Sequence, residues 1–118
     1  KLLCSLKRVI KQAALKLLNY GAKVVAITLG KDGTLLATNE GQTIVSSISI
    51  QQVDTTGAGD AFVGAMLYQI AQSEHTLSYH FKDLTAFISF ANKVGAITCT
   101  NYGAIASLPS LTDIKAYD

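Results

Sequence analysis

One short stretch of the sequence combines small residues with two carboxylates. It runs Asp54-Thr55-Thr56-Gly57-Ala58-Gly59-Asp60 and leads directly into an apolar segment. Because the Gly57–Gly59 tripeptide leaves the backbone uncovered, its amides can approach a phosphate, and a helix starting there adds the positive end of its dipole. Asp60 falls in the first turn of that helix and repels a phosphate, so we predict that it accepts a proton from an attacking hydroxyl. The pattern predicts a phosphoryl-transfer site.

Other interpretations of this stretch are a tight turn followed by a favourable first-turn acid, or a different glycine-rich loop. A Walker loop requires G-x-x-x-x-G-K-[ST], and Gly30-Lys31-Asp32 fails at the last position. A dinucleotide fingerprint needs a third glycine where Phe62 stands and an acid about 20 residues further on. Asp83 has that spacing but lies between two helical patterns. Dinucleotide binding is therefore the less favoured alternative.

The run 54–60 fills every position of D-T-x-G-A-G-D and resembles the second signature of the ribokinase-like (PfkB) carbohydrate kinases. The resemblance implies that Asp60 is the general base that deprotonates a sugar hydroxyl. It also implies that the amides of Gly57, Ala58 and Gly59 form an anion hole for the transferred phosphoryl group. The run 100–109 is similar to that of bacterial fructokinases, which implies conversion of fructose to fructose 6-phosphate. The implied fold is a three-layer α/β/α sandwich.

The resemblance extends to the nucleotide. It places ATP against the loop that follows a buried strand, with Thr28, Gly30 and Gly33 beside the phosphates and ribose, and it adds Gly59 from the signature. Open α/β sheets bind ligands where the carboxyl ends of strands meet loops, which agrees with this position. Asn92 matches a family position beside the adenine base. From the residues alone, an ordinary β-turn and an asparagine bonded within helix packing remain the alternatives.

Many relatives hold a monovalent cation, usually potassium, beside the anion hole. The matching positions here are Asp54, Thr56, Thr98, Asn101, Gly103 and Ser107. Oxygen ligands suit such a hard ion, although Asp54 could equally cap the signature turn. The N-x-x-E element that helps relatives to organise Mg²⁺ has no match, so we expect the magnesium ligands to lie outside this chain.

The ends of the chain suggest a piece of a larger protein. The 118 residues begin with Lys1, and residues 2–18 already show helical i, i+3, i+4 spacing with no capping residue ahead of them. We expect residues 1–118 to be the C-terminal nucleotide-binding and catalytic portion of a PfkB domain that lacks its sugar-binding part and lid. The alternative is a truncated remnant that at most binds nucleotide, and we expect the piece alone to be inactive.

Composition argues against several other classes of protein. The net charge is only +2, and the basic residues of the first helix lie largely opposite its apolar stripe, so neither nucleic acid nor membrane is expected as a partner. Cys4 and Cys99 form no C-x-x-C pair and are expected to be reduced and buried in a cytoplasmic protein. His75 and His80 lie in a polar connector and do not form a metal site. A homodimer is one expectation for the full-length protein.

Hydrophobic patterns predict one α/β unit with helices on a mostly parallel sheet. After the first helix, residues 24–29 predict a strand covered on both faces, and residues 34–38 and 43–50 predict a hairpin around 39–41. Residues 62–71 are apolar on every side of a helix, which predicts that this helix is deeply packed. Further helices are predicted at 84–97 and 111–117.

Overall fold

The computed structural model describes residues 4–51, 53–73, 80–100 and 110. Within them, one helix is followed by three strands and then by two further helices. The elements are α1 (Cys4–Asn19), β1 (Val24–Thr28), β2 (Thr34–Thr38), β3 (Gly41–Val45), α2 (Ala58–Gln72) and α3 (Phe81–Thr98), with a 3₁₀ turn at Gly30–Asp32. The predicted helix 111–117 lies outside the described residues.

The three described strands form an antiparallel sheet in the order β1-β2-β3. The expectation of a mostly parallel sheet is therefore wrong for this part of the chain. The reason is the length of the connections: a single 3₁₀ turn joins β1 to β2, and Asn39 and Glu40 alone join β2 to β3. Short connections can join only antiparallel neighbours, because parallel strands need a long crossover.

Helices cover both faces of this sheet, which confirms the predicted three-layer arrangement. On one face, Leu35 and Ala37 of β2 pack against Ala14 of α1. On the other face, Leu36 packs with Ile88 of α3 and with residues of α2. Alternate residues of β2 thus point into two separate apolar clusters, as the period of a strand requires.

Two burial predictions are wrong. β2, and not β1, is the strand buried along its whole length, because among the described strands β1 lies at the edge of the sheet and leaves Val24 and Ala26 exposed. The helix α2 is not deeply packed either. Val63 and Leu67 are 54% and 61% exposed, because α2 packs by one side against α3 and no other described element covers its outer side.

Several element boundaries also differ from the sequence predictions. The strand predicted at 43–50 is Gly41–Val45, and the helix predicted at 84–97 begins at Phe81, so Asp83 lies in its first turn. Cys4 is exposed, although Cys99 is buried as expected. None of the described helices has the length and apolar character that a membrane span needs.

Candidate functional site

The signature loop is shaped by Asp54 and anchored to the end of α3. The Oδ1 atom of Asp54 accepts hydrogen bonds from the backbone N–H (2.9 Å) and the hydroxyl (2.6 Å) of Thr56, which form an Asx turn. The backbone N–H groups of Val53 and Asp54 both donate to the carbonyl of Cys99, at 2.7 and 3.1 Å. Asp54 therefore caps the signature turn, which is one of the two roles that the sequence allowed for it.

The helix α2 begins directly after this turn with its first amides uncapped by any side chain. Gly57 takes the left-handed conformation (φ +83°) that lets the chain enter the helix. The N–H of Ala58 donates to Thr55 and that of Ala61 donates to Gly57, whereas the amides of Gly59 and Asp60 make no backbone hydrogen bond within the described part of the chain. Such unpaired N–H groups and the helix dipole form a natural anion site.

Space is open at the same position. A Cβ built on Gly59 would meet no atom within 4 Å, so the backbone of the first helical turn is accessible to a ligand. Asp60 follows in the first turn of α2 and is exposed, as the sequence predicted. A carboxylate there can reach a hydroxyl that enters from solvent.

The Gly30–Gly33 turn forms the other side of the site. It is closed by a hydrogen bond from the N–H of Leu29 to the carbonyl of Gly33 (2.8 Å) and another from the N–H of Gly33 to the carbonyl of Gly30 (3.2 Å). Gly33 has φ +99°, and a Cβ there would lie 2.1 Å from the carbonyl oxygen of Val45. Only glycine fits at this position, because both the conformation and the approach of β3 exclude a side chain.

A cleft of about 550 Å³, measured together with its opening to solvent, lies between these two segments. Its walls combine the predicted nucleotide residues with part of the predicted anion hole. The lining residues are Thr28, Gly30, Gly33, Thr34, Ser47, Thr55, Ala58, Gly59, Phe62, Asn92, Gly95, Ala96 and Cys99. The fold therefore brings the Gly30–Gly33 turn and the start of α2 to one cleft.

Asn92 lines the cleft, but its carboxamide is engaged within the fold. Its Oδ1 accepts a hydrogen bond from the Thr34 hydroxyl (2.6 Å), and its Nδ2 donates to the carbonyls of Val45 (2.9 Å) and Ser46 (3.4 Å). Only 7% of Asn92 is exposed. The interpretation of Asn92 as an asparagine bonded within the packing thus has direct geometric support.

Cys99 lies at the floor of the cleft, where burial and the neighbouring carboxylate of Asp54 raise the pKa of its thiol. Its Sγ donates to the carbonyl of Gly95 at 3.4 Å. The thiol therefore stays protonated at neutral pH and is a poor nucleophile.

The candidate cation ligands are only partly described. Asp54 and Thr56 are in direct contact, and the bonds to the Cys99 carbonyl bring Asp54 next to the end of α3, where Thr98 lies. The Thr98 hydroxyl donates to the carbonyl of Val94 (2.9 Å), and the residue is fully buried. Asn101, Gly103 and Ser107 lie outside the described residues. The described part holds no group of three or more His, Cys, Asp or Glu side chains that could bind a metal ion.

Sequence reasoning missed three features of this cleft. Thr34 is fully buried at its wall, and Ser47 lines it from the segment after β3. Gly95 lets α3 approach the start of α2, since a Cβ there would lie 3.2 Å from the carbonyl of Ala58. Two signals in the sequence could have indicated Thr34 and Gly95. The first is a polar residue at the start of an apolar strand, and the second is a glycine inside a helix.

The comparison with protein families gives the same assignment. The family model described as "pfkB family carbohydrate kinase" matches residues 4–111, which is most of the chain. The chain belongs to the pfkB family of carbohydrate kinases. Among pfkB proteins, Fructokinase-1 of Oryza sativa subsp. japonica is 45% identical over 100 residues, and ribokinase of Staphylococcus aureus (strain COL) is 36% identical over 98 residues.

Solved pfkB structures confirm the ribokinase-like fold. A fructokinase double mutant from Vibrio cholerae O395, in fructose, ADP and potassium ion bound form, superposes with a TM-score of 0.83 at 32% identity over 92% of this chain. Aminoimidazole riboside kinase from Salmonella enterica, complexed with aminoimidazole riboside and an ATP analog, gives 0.82 at 36% identity over 91%. The chain spans only about a third of its relatives: 31% of the rice protein, 30% of the S. aureus protein, and 34% and 35% of the two solved chains.

Proposed function

We propose that this chain carries the nucleotide-binding and catalytic portion, residues 1–118, of an ATP-dependent sugar kinase that converts fructose to fructose 6-phosphate. The main support for the proposal is that two separate loops line one cleft. The Gly30–Gly33 turn and the Ala58–Gly59 backbone line the same space although they are distant in sequence, and Asp60 is the next residue along α2. A phosphate donor and a proton acceptor are both needed for phosphoryl transfer, and this arrangement supplies a site for each.

In this proposal the residues of the two loops have separate roles. ATP binds along the cleft at Thr28, Gly30, Gly33 and Gly59, and Asn92 lies in the wall of the same cleft. The amides of Gly57, Ala58 and Gly59 are assigned to the anion hole that stabilises charge on the transferred phosphoryl group. Within the described residues the Gly59 amide makes no backbone hydrogen bond, whereas the N–H of Ala58 donates to the carbonyl of Thr55 at 3.2 Å and must leave it to reach a phosphate. Asp60 accepts the proton of the sugar hydroxyl as the hydroxyl oxygen attacks the γ-phosphorus in line, the bond between that phosphorus and the bridging oxygen of the β-phosphate breaks, and ADP leaves. The open space at Gly59 supports the fit, since a phosphate needs close approach to the backbone there.

Metal ions complete the proposed site. Magnesium on the nucleotide supplies charge neutralisation when it is bound, and we expect its protein ligands outside this chain. Asp54, Thr56, Thr98, Asn101, Gly103 and Ser107 are proposed to surround a potassium ion through oxygen atoms. The hydrogen bonds that hold Asp54 near the end of α3 support this donor set.

The choice of fructose is supported by the relatives. Fructokinases of rice and maize are 45% and 44% identical to the chain over 100 residues, above the 36% of the S. aureus ribokinase. We further propose a cytoplasmic protein whose partners are the sugar and ATP rather than nucleic acid or membrane, and a homodimer for the full-length protein.

The second candidate is a protein that binds nucleotide without phosphorylating a sugar. The position of Asp60 favours it, because this residue is exposed and is not among the residues that line the cleft. The two candidates differ in one measurable property, which is release of ADP that depends on the added sugar.

The test is ADP release by the full-length protein that contains this chain, with Mg-ATP and with fructose or ribose added, in wild type, Asp60→Asn and Asp83→Asn. Asp83 is the matched control because it is also an exposed acid in the first turn of a helix. The proposal predicts fructose-dependent release that Asp60→Asn reduces at least about 1000-fold and Asp83→Asn leaves unchanged. Binding of ATP without any sugar-dependent release would establish the second candidate, and equal activity of the two variants would refute the role of Asp60.

A further inference from the structure

Both N–H donors of the Asn92 side chain are used within the fold, so neither is available to bind a nucleotide base. A carboxamide offers two N–H groups and one oxygen with two lone pairs. Both N–H groups face carbonyls, those of Val45 at 2.9 Å and Ser46 at 3.4 Å, and the oxygen accepts from Thr34. Because the residue is 7% exposed and both of its donors are used, a nucleotide base could accept a hydrogen bond from the amide only if the bonds to Val45 or Ser46 broke. Its hydrogen-bonding capacity is used to hold the protein together.

The hydrogen-bond partners of Asn92 lie at one end of the sheet. Thr34 and Val45 are directly paired residues of the β2–β3 ladder, and Thr34 is also paired with Thr28 of β1. One side chain of α3 therefore bonds to both strands of the β2–β3 pair at the end where the cleft opens. The Thr34 hydroxyl is fully buried, so no water replaces it if the bond is lost.

The hydrogen bonds that join Thr34, Asn92 and Val45 form a clamp. The backbone carbonyl of Val45 connects this clamp to the Gly30–Gly33 turn. The Val45 oxygen that accepts from Asn92 is the atom that a Cβ on Gly33 would meet at 2.1 Å. Gly33 closes the turn through its bonds with Leu29 and Gly30, and it immediately precedes Thr34. A shift of Val45 or Thr34 would consequently move the turn that lines the cleft.

We propose that Thr34 and Asn92 are positioning residues that fix the Gly30–Gly33 turn, and that Asn92 acts on a nucleotide through this turn rather than by contact with the base. The inference rests on the proposed nucleotide site. A phosphate-binding turn must be held close to its working geometry by the residues behind it, and the Thr34–Asn92–Val45 bonds provide that support.

The first test needs no ligand. Hydrogen exchange at the amides of Leu29 and Gly33 is compared in wild type, Thr34→Val, Thr34→Ser and Thr38→Val. Thr38 is the matched control, because it is a buried threonine of the same strand at the hairpin end, where its hydroxyl accepts from Glu40. Thr34→Val should speed exchange at both amides about tenfold, the effect of one lost buried hydrogen bond on a local opening. Thr34→Ser should restore slow exchange, and equal effects of Thr34→Val and Thr38→Val would overturn the proposal.

The second test separates positioning from base contact. The affinities for ATP, GTP and inorganic tripolyphosphate are measured for wild type, Thr34→Val and Asn92→Ala. Positioning predicts that both variants lose affinity for all three ligands by a similar factor, about tenfold. Loss for ATP alone, confined to Asn92→Ala, would show a base contact and overturn the proposal. A wild-type chain that binds none of the three would refute the proposed nucleotide site, and the exchange experiment would still decide whether the clamp fixes the turn.

Discussion

The hydroxyl of Thr34 donates a 2.6 Å hydrogen bond to the carboxamide oxygen of Asn92, across 58 positions of sequence. This bond joins β2 to α3 at the end of the sheet where the cleft opens. About two turns further along the same helix, its C-terminal cap Cys99 holds the signature loop through its backbone carbonyl. A single helix thus positions both walls of the cleft, which explains why two short motifs that are far apart in sequence can act as one site.

Among the described glycines, Gly33 is the position that tolerates a side chain least. Gly33→Ala should destabilise the chain by about 2 kcal/mol or more, since the backbone strain alone is worth roughly 1–3 kcal/mol and the Cβ also overlaps the carbonyl of Val45. Gly30→Ala is the matched control, because Gly30 also has positive φ (+61°) but no neighbour within 4 Å. Urea unfolding at pH 7 measures both, and equal losses of stability would show that the approach of β3 does not restrict Gly33.

Glu40 caps α3 from the tip of the hairpin. Its Oε2 accepts a hydrogen bond from the N–H of Phe81 (3.1 Å), and the residue at the helix cap, His80, makes no side-chain bond there. Glu40→Ala should cost about 0.5–2 kcal/mol of unfolding free energy, and Glu40→Gln less, because the amide keeps an acceptor but loses the charge near the helix dipole. Chemical denaturation of the three proteins checks this order. Indistinguishable midpoints would mean that the cap contributes nothing.

The two cysteines should react very differently. Cys4 is exposed, whereas Cys99 is buried and its thiol has a raised pKa, so iodoacetamide at pH 8 should label Cys4 first. Peptide mass spectrometry over time measures the two rates. Faster labelling of Cys99 than of Cys4 would contradict the buried, protonated thiol.

The raised pKa of Cys99 also predicts the direction of a pH effect. The folded chain keeps this proton at a pH where the unfolded chain loses it, so the contribution to stability is complete below the ordinary thiol pKa and is lost as pH rises above it. Wild type should lose stability between pH 7 and 9.5 relative to Cys99→Ala. The Cys4→Ala variant is the control and should follow wild type, and a flat difference across this range would contradict the assignment.

The local backbone structure of the site could be predicted directly from the sequence. The small residues 57–59 and the acid Asp60 favour the start of a helix through local backbone conformation. The helix α2 begins where these residues predicted it. Turn residues likewise located the hairpin and the Gly30–Gly33 turn. These features depend on backbone conformation and on neighbours close in sequence.

Burial and strand direction could not be obtained in the same way. The apolar run of β1 resembles a fully covered strand, yet the strand that both layers of helix cover is β2. The apolar character of α2 does not reveal which neighbours pack on it. The role of Asn92 depends on Thr34 and Val45, which only the folded arrangement brings together. Such contacts are properties of tertiary packing rather than of local pattern.

In the proposed site, the amides at the start of α2 receive the phosphates of ATP. The most direct test is calorimetric titration of Mg-ATP into wild type, Gly59→Ala and Gly64→Ala. Both glycines lie in α2 with no atom near a built Cβ, so either alanine should leave the fold intact or stabilise it by up to about 1 kcal/mol. Gly59→Ala should nevertheless weaken ATP binding at least about tenfold, because its methyl group occupies the ligand's approach to the backbone, while Gly64→Ala binds like wild type. Wild-type affinity in Gly59→Ala would contradict the claim.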